Sequence, residues 1–165
     1  MGWHLRRIDV IHGPNLNLLG ARERSIYGSM GLKEIDGALA ALGKELGMAV
    51  RCRQSNIEGE IIDFVQEAGR DSDFIIINPG GYTHTSVAIR DALAAVATPA
   101  IEVHLTNTQA REEFRRVSYI AEVVLGRIEG LGTEGYLLAL RYAAARLGAK
   151  GKNETANRRS KKTSR

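Results

Sequence analysis

Glu102 and His104 stand two apart in a short apolar run, Pro99-Ala-Ile-Glu-Val-His-Leu105, that reads as a strand. Strand side chains alternate, so both face the same way. A carboxylate so placed orients an imidazole and favours its protonated form, as a general acid requires. A second block, Asn78-Pro-Gly-Gly-Tyr-Thr-His-Thr-Ser-Val-Ala-Ile-Arg-Asp91, contains Asn78, His84 and Asp91. His84, Ala88 and Asp91 fall at i, i+4 and i+7, so a histidine and a carboxylate share one stripe of an expected helix. Arg22 and Tyr27 come from residues 13–30, and Arg115 from the charged run at 110–116. Acid, base and fixed cation gathered at one edge point to proton transfer. Each residue also has a plainer reading. Thr83 would be an N-cap on a solvated helix face, His104 a satisfied core histidine, and Tyr27 a loop residue packed on the body.

The elements that position these residues follow from apolar patterning. Residues 7–12, 48–53, 73–78, 99–105 and 121–128 read as strands, the third as one buried on both faces. Leu32, Ile35, Leu39, Leu42 and Leu46 step by three and four, an amphipathic helix closed by Gly47. Ser55-Asn-Ile-Glu58 has the form of a capping box and opens a helix through Ile61, Phe64, Val65 and Ala68. Ile89, Ala92, Leu93 and Val96 mark a third helix, residues 106–116 a short charged one, and Leu137, Leu140, Ala144 and Leu147 a last one. Strands alternating with helices predict a doubly wound, five-stranded parallel α/β sheet of flavodoxin-like order 2-1-3-4-5. Ligands of such sheets bind beyond the carboxyl ends of the strands. Residues 13–30 leave the first strand at that edge and lack apolar periodicity, as expected of a mobile lid.

Composition excludes several classes. The chain has 165 residues and a formal charge of +4. Residues 150–165 hold seven Lys/Arg and one acid, which leaves 16 basic and 18 acidic groups in residues 1–149. The basicity therefore belongs to a polar tail that reads as disordered, and the body has no basic excess for nucleic acid. Residues 1–149 read as a single catalytic domain. Cys52, the only cysteine, permits no internal disulfide and reads as a buried inert thiol. No stretch has the form of a signal peptide or a membrane span, so a cytoplasmic protein is expected. The histidines lack zinc-ligand spacing. Lys33 and Lys44 are the only lysines outside the tail, and neither sits at a strand end, which argues against Schiff-base chemistry. Gly130-Leu-Gly-Thr-Glu-Gly135 matches a dinucleotide fingerprint but lacks the further strand and acid, and reads as a tight turn with close helix packing.

The run His12-Gly-Pro-Asn-Leu-Asn-Leu-Leu-Gly20 with Arg22 and Tyr27-Gly28 resembles the N-terminal signature of type II 3-dehydroquinate dehydratases. So do Gln54-Ser-Asn56 with Glu58-Gly59, residues 78–91, Glu102-Val-His104 with residues 110–116, and Gly135-Tyr136. The resemblance runs in order from about residue 8 to residue 147. It implies a flavodoxin-like subunit, usually in a homododecamer of four trimers. The implied reaction converts 3-dehydroquinate to 3-dehydroshikimate without metal or cofactor. By motif position Tyr27 is implied as base and His104 as acid, with Glu102 in support of the histidine. Arg22 is implied to activate the tyrosine. Asn78, His84, Asp91, Leu105, Thr106 and Arg115 are implied to bind substrate, with Asp91 reaching a neighbouring subunit's site. Two positions depart from the family pattern: Arg24 stands where proline is frequent, and Ile57 where histidine is common.

The chemistry accounts for these residue types. The proton to be lost lies beside a ketone, so its removal gives an enolate. A tyrosine of pKa about 10 is only roughly 0.1% phenolate at neutral pH, and making it a base costs roughly 3–4 kcal/mol. One cation about 5 Å away, at an effective dielectric of about 20, supplies about 3 kcal/mol. Arg22, five residues before Tyr27, meets that need and cannot lose its charge. The enolate oxygen needs a donor, for which Asn15 acting through a water is the candidate. Two rival readings are a flavodoxin-like ligand-binding or signalling module, which would bind nucleotide or flavin without turnover, and an inactive scaffold. The surplus of acid–base groups weighs against the first, and the intact Arg22, Tyr27 and His104 against the second.

Overall fold

The computed structural model describes residues 5–20 and 30–162, with side chains as far as Gly148. Arg22 and Tyr27 lie outside the described residues, as do residues 21–29 of the expected lid; of its described part, Leu16–Leu18 form a 3-10 turn with Leu16 buried. Five parallel strands form one sheet in the order β2-β1-β3-β4-β5: β1 Arg7–His12, β2 Ala49–Gln54, β3 Phe74–Asn78, β4 Ala100–His104 and β5 Arg127–Glu129. The long helices among the described residues are α1 Leu32–Glu45, α2 Glu58–Asp71, α3 Val87–Ala95 and α4 Glu134–Lys162.

The two-residue period of the strands divides the core. Ile8, Val10, Phe74, Ile76, Ile101 and Val103 face α1 and α4, where they meet Ile35, Leu39, Tyr136 and Leu140. Ile11, Ile75, Ile77 and Ala100 face α2 and α3, packing on Ile61, Val65, Ile89 and Leu93. Phe74 through Ile77 are fully buried, because helices cover the sheet on both sides. Truncating Ile76 to Ala would cost roughly 2–5 kcal/mol, the range for a core cavity. Asp9 of β1 is fully buried and accepts from Arg51 and Arg53 of the edge strand β2, so that strand is tied by charge as well as by its ladder.

Several local expectations give way to the fold. The fifth strand is Arg127–Glu129, not 121–128. Ile120 is fully buried against the α2–α3 side, and Val123 and Val124 pack there from turns rather than from a strand. Thr83 is not the cap of α3. A 3-10 turn at Gly80–His84 intervenes, and the Ser86 side chain accepts from the Ile89 amide instead. His84 therefore precedes the helix and shares no stripe with Asp91. The capping box at Ser55 does not form either. Ile57 occupies the cap position of α2 without a side-chain bond, while Ser55 accepts from the Ile57 amide at 2.9 Å and donates to Glu60. Residues 106–116 form two 3-10 turns, Thr108–Ala110 and Glu113–Arg116, in place of one helix. The helical backbone of α4 runs to Lys162, into the segment expected to be disordered; that stretch contains no proline to stop it.

The glycines at 130 and 132 serve a turn, as their spacing predicts. They have φ of 84° and 57°, and their amides donate to the His104 and Leu105 carbonyls. Gly135 lets α4 approach the sheet, since a Cβ there would stand 3.3 Å from Ile128.

Candidate active site

The ends of β1, β3 and β4 open onto a cavity of about 370 Å³. Its wall between β1 and β3 depends on one close approach. The Gly13 amide donates to the Asn78 carbonyl at 2.7 Å, and a Cβ at Gly13 would lie 2.5 Å from the Pro79 backbone. Only glycine fits there. The chain then turns through Asn15, the one non-glycine residue with positive φ among those described, at 67°. Asparagine tolerates that conformation. Asn15, Asn78, His84, His104, Leu105, Thr106 and Arg115 all line the cavity, as expected. Asp91 does not. Its carboxylate is 64% exposed and pairs with Arg90 at 3.0 Å.

His104 is held by a buried carboxylate, as its strand spacing predicts. Glu102 Oε1 lies 2.6 Å from His104 Nε2, and Glu102 is fully buried. A carboxylate only accepts, so Nε2 carries the proton in this pair. Nδ1 has no hydrogen-bond partner among the described residues, and the ring lines the cavity. Glu102 is itself crowded with donors. Thr83 and Ser118 donate to it, Ser118 at 2.9 Å and 3.0 Å. Arg127, its register partner on β5, brings Nε to 3.1 Å of Oε2, an ion-pair contact in which the N–H does not point at the oxygen. Burial alone would raise the Glu102 pKa. The His104 hydrogen bond and charge, with Thr83 and Arg127, outweigh it and hold the carboxyl below its ordinary range. Thr83, Ser118 and Arg127 escaped the sequence reading because they meet Glu102 only through the fold.

His84 hangs over the mouth of the cavity. Its Nδ1 donates to the Val117 carbonyl at 2.6 Å, and its ring meets Phe114 edge-on. Burial lowers its pKa, more than the Val117 bond raises it. At neutral pH the imidazole is uncharged, with Nε2 left as an acceptor. Two cations, both ion-paired to Glu112, also line the cavity. Arg115 donates to Glu112 at 2.8 Å, and Arg111, a lining residue the sequence reading passed over, reaches Thr106 Oγ1 at 3.3 Å. Paired arginines beside backbone and amide groups suit an anionic, hydroxylated small molecule.

A second polar cluster lies directly behind Asn78. His12 is fully buried, with Nδ1 2.9 Å from the Tyr136 hydroxyl and Nε2 2.9 Å from Asp36. His12, Asp36 and Cys52 present atoms within 4.8 Å of one another, a spacing compatible with a metal that the sequence spacing did not suggest. Both His12 nitrogens are already engaged, so the cluster stands complete as a hydrogen-bonded one. Cys52 is half-buried rather than buried as expected; burial still pushes its thiol up, and Asp36 adds to the effect.

Fold and site together define a doubly wound α/β domain with an acid–base pocket at the carboxyl edge of its sheet. The family model for dehydroquinase class II matches residues 6–144. A 3-dehydroquinate dehydratase of Bordetella pertussis is 59% identical over 140 residues, 84% of this chain and 97% of that protein. One from Pelotomaculum thermopropionicum is 54% identical over 142 residues, covering 86% and 99%. The crystal structure of the type II dehydroquinase from Propionibacterium acnes superimposes with a TM-score of 0.83 at 41% identity, covering 85% of this chain and 97% of that one. The chain belongs to the class II dehydroquinase family. Among the described residues no helix is long and apolar enough to cross a membrane.

Proposed function

We propose that this hydro-lyase, a class II dehydroquinase that dehydrates 3-dehydroquinate to 3-dehydroshikimate, works through an enolate, with Tyr27 as base and His104 as acid. The Glu102–His104 pair carries this reading, with one imidazole nitrogen fixed by a buried carboxylate and the ring on the cavity wall. Tyr27, supported by Arg22, removes the proton beside the ketone. The electron pair moves onto the carbonyl oxygen, which Asn15 holds through a water. The enolate then expels the hydroxyl on the next carbon, His104 protonates it, and it leaves as water. The phenol returns its proton to solvent and the imidazole is recharged, so substrate yields product plus water.

Substrate binding is divided among Asn78, His84, the Leu105–Thr106 backbone and Arg115, all on the cavity wall. Asp91 acts in a neighbouring subunit's site; its exposed carboxylate, which does not line this chain's own cavity, supports that role. The assembly is a homododecamer in the cytoplasm. Residues 1–149 are the catalytic domain and 150–165 a basic extension, in keeping with a family match that stops at residue 144. Adding 3-dehydroquinate to purified protein in the presence of chelator should give rising enone absorbance. A flat trace from an assembled, folded protein would reject the reading.

A further inference from the structure

The last strand of the sheet carries two charges that turn inward. Charged side chains on an edge strand ordinarily point to solvent. Arg127 and Glu129 of β5 are instead only 20% and 22% exposed, and they stand in register with Glu102 and His104 of β4. The Arg127 guanidinium spans two groups. Its Nε lies 3.1 Å from Glu102 Oε2, and its Nη2 donates to Glu129 at 3.0 Å and to Thr108 Oγ1 at 3.2 Å. Thr108 is buried, lines the cavity and donates its own hydroxyl proton to Glu129. It opens the 3-10 turn Thr108–Ala110, in the segment 106–116 that also holds Thr106 and Arg115. Among the described residues, the side-chain hydrogen bonds of Thr106, Asn107, Gln109 and Arg115 stay within that segment. Those of Thr108 leave it, and both run to β5.

We propose that Arg127 and Glu129 are positioning residues that brace the segment 106–116, through Thr108, against the strand that carries the Glu102–His104 pair. A planar guanidinium holds its nitrogens at a fixed separation, so Arg127 sets the spacing from Glu102 to Thr108 as a point charge on a flexible stem would not. The Thr108 hydroxyl accepts from Arg127 and donates to Glu129, so both of its bonds are directed. His104 lies on a strand, whereas Arg115 lies on a segment with no ladder of its own. A misplacement of about 1 Å between groups that must act together costs activity. Thr83 and Ser118 also hold Glu102, but neither bonds to the segment. The brace supplies that link. The inference rests on the cavity being the substrate site, since Thr106 and Arg115 are the groups it steadies.

Two measurements test it, and the first needs no substrate. Hydrogen exchange of the full chain, read by mass spectrometry, should speed up over residues 106–116 in Thr108→Val and in Glu129→Leu. The peptide over Phe74–Asn78 should keep its wild-type rate. An unchanged 106–116 segment, or an equal rise along the whole chain, overturns the proposal. The second is steady-state kinetics with 3-dehydroquinate. Thr108→Val and Glu129→Leu should each raise KM about tenfold, the worth of one hydrogen bond to a charged group, with a smaller change in kcat. The double variant should be no worse than the more impaired single one, because both break the same link. Glu129→Gln keeps an acceptor for Thr108 and should fall closer to wild type than Glu129→Leu. Arg127→Met should raise KM and lower kcat together, since Arg127 also touches Glu102. Unchanged KM in Thr108→Val, or additive effects in the double variant, would overturn the proposal. If Glu129→Leu does not fold, Thr108→Val alone decides both measurements. An inactive wild type would reject the enzymatic reading and leave hydrogen exchange to decide the brace.

Discussion

Glu102 Oε1 lies 2.6 Å from His104 Nε2, two residues along the same strand, with the carboxylate fully buried and the imidazole on the cavity wall. This pair engages Nε2 and leaves Nδ1 as the imidazole nitrogen without a hydrogen-bond partner among the described residues. Glu102→Gln keeps the shape but removes the charge that steadies an imidazolium. Its kcat should fall by about 10²-fold, within the range of general-acid contributions, with circular dichroism unchanged. A variant with wild-type kcat would leave the carboxylate no part in catalysis.

Acid should unfold the protein through the same residue. His104, Thr83 and Arg127 hold the folded-state pKa of Glu102 below its ordinary value despite burial. The unfolded value is about 4.3, so the stabilisation is complete above that pH and fades as pH falls through the lower folded value. Urea midpoints taken from pH 6 down to pH 3 should drop on the acid side. Glu102→Gln should start less stable and lack that part of the drop. Parallel curves for the two proteins would argue against an ionised Glu102.

The central strands and their order were legible because β1, β3 and β4 are short apolar runs covered on both faces, a pattern few other placements satisfy. The fifth strand was not. Ile120, Val123 and Val124 are apolar because they pack on the α2–α3 side from turns, and burial without a ladder looks the same in sequence. Glu102 and His104 were readable through their two-residue spacing. Thr83, Ser118 and Arg127 were not, since they meet Glu102 only after the chain has crossed over. His12 and Asp36 lie 24 residues apart, and neither shows a partner until β1 and α1 pack together.

Cys52 should resist alkylation. Its thiol is pushed up by burial and by Asp36, and the thiolate is the reactive form. At pH 8 a thiol reagent should modify the folded protein many times more slowly than the same protein in urea. Comparable rates would mean that the thiol is neither shielded nor held protonated.

Lysine chemistry should play no part. Lys33 lies in the first turn of α1 and Lys44 in its last, and neither lines the cavity. Borohydride added with 3-dehydroquinate should leave activity and mass unchanged. A stable adduct at Lys33 or Lys44 would overturn the enolate route.

The proposed division of labour between Tyr27 and His104 is tested most directly by exchange of the substrate proton beside the ketone, followed by NMR in D₂O. His104→Ala should dehydrate very slowly yet still form the enolate and return it, so recovered substrate should gain deuterium faster than product appears. This holds provided the abstracted proton leaves Tyr27 while the enolate lives. Tyr27→Phe should lose exchange and dehydration together, and Arg22→Ala should weaken both, since the phenolate loses roughly 3 kcal/mol of support. Exchange at the wild-type rate in Tyr27→Phe would contradict the assignment and move the base to another residue, with the uncharged His84 next in line.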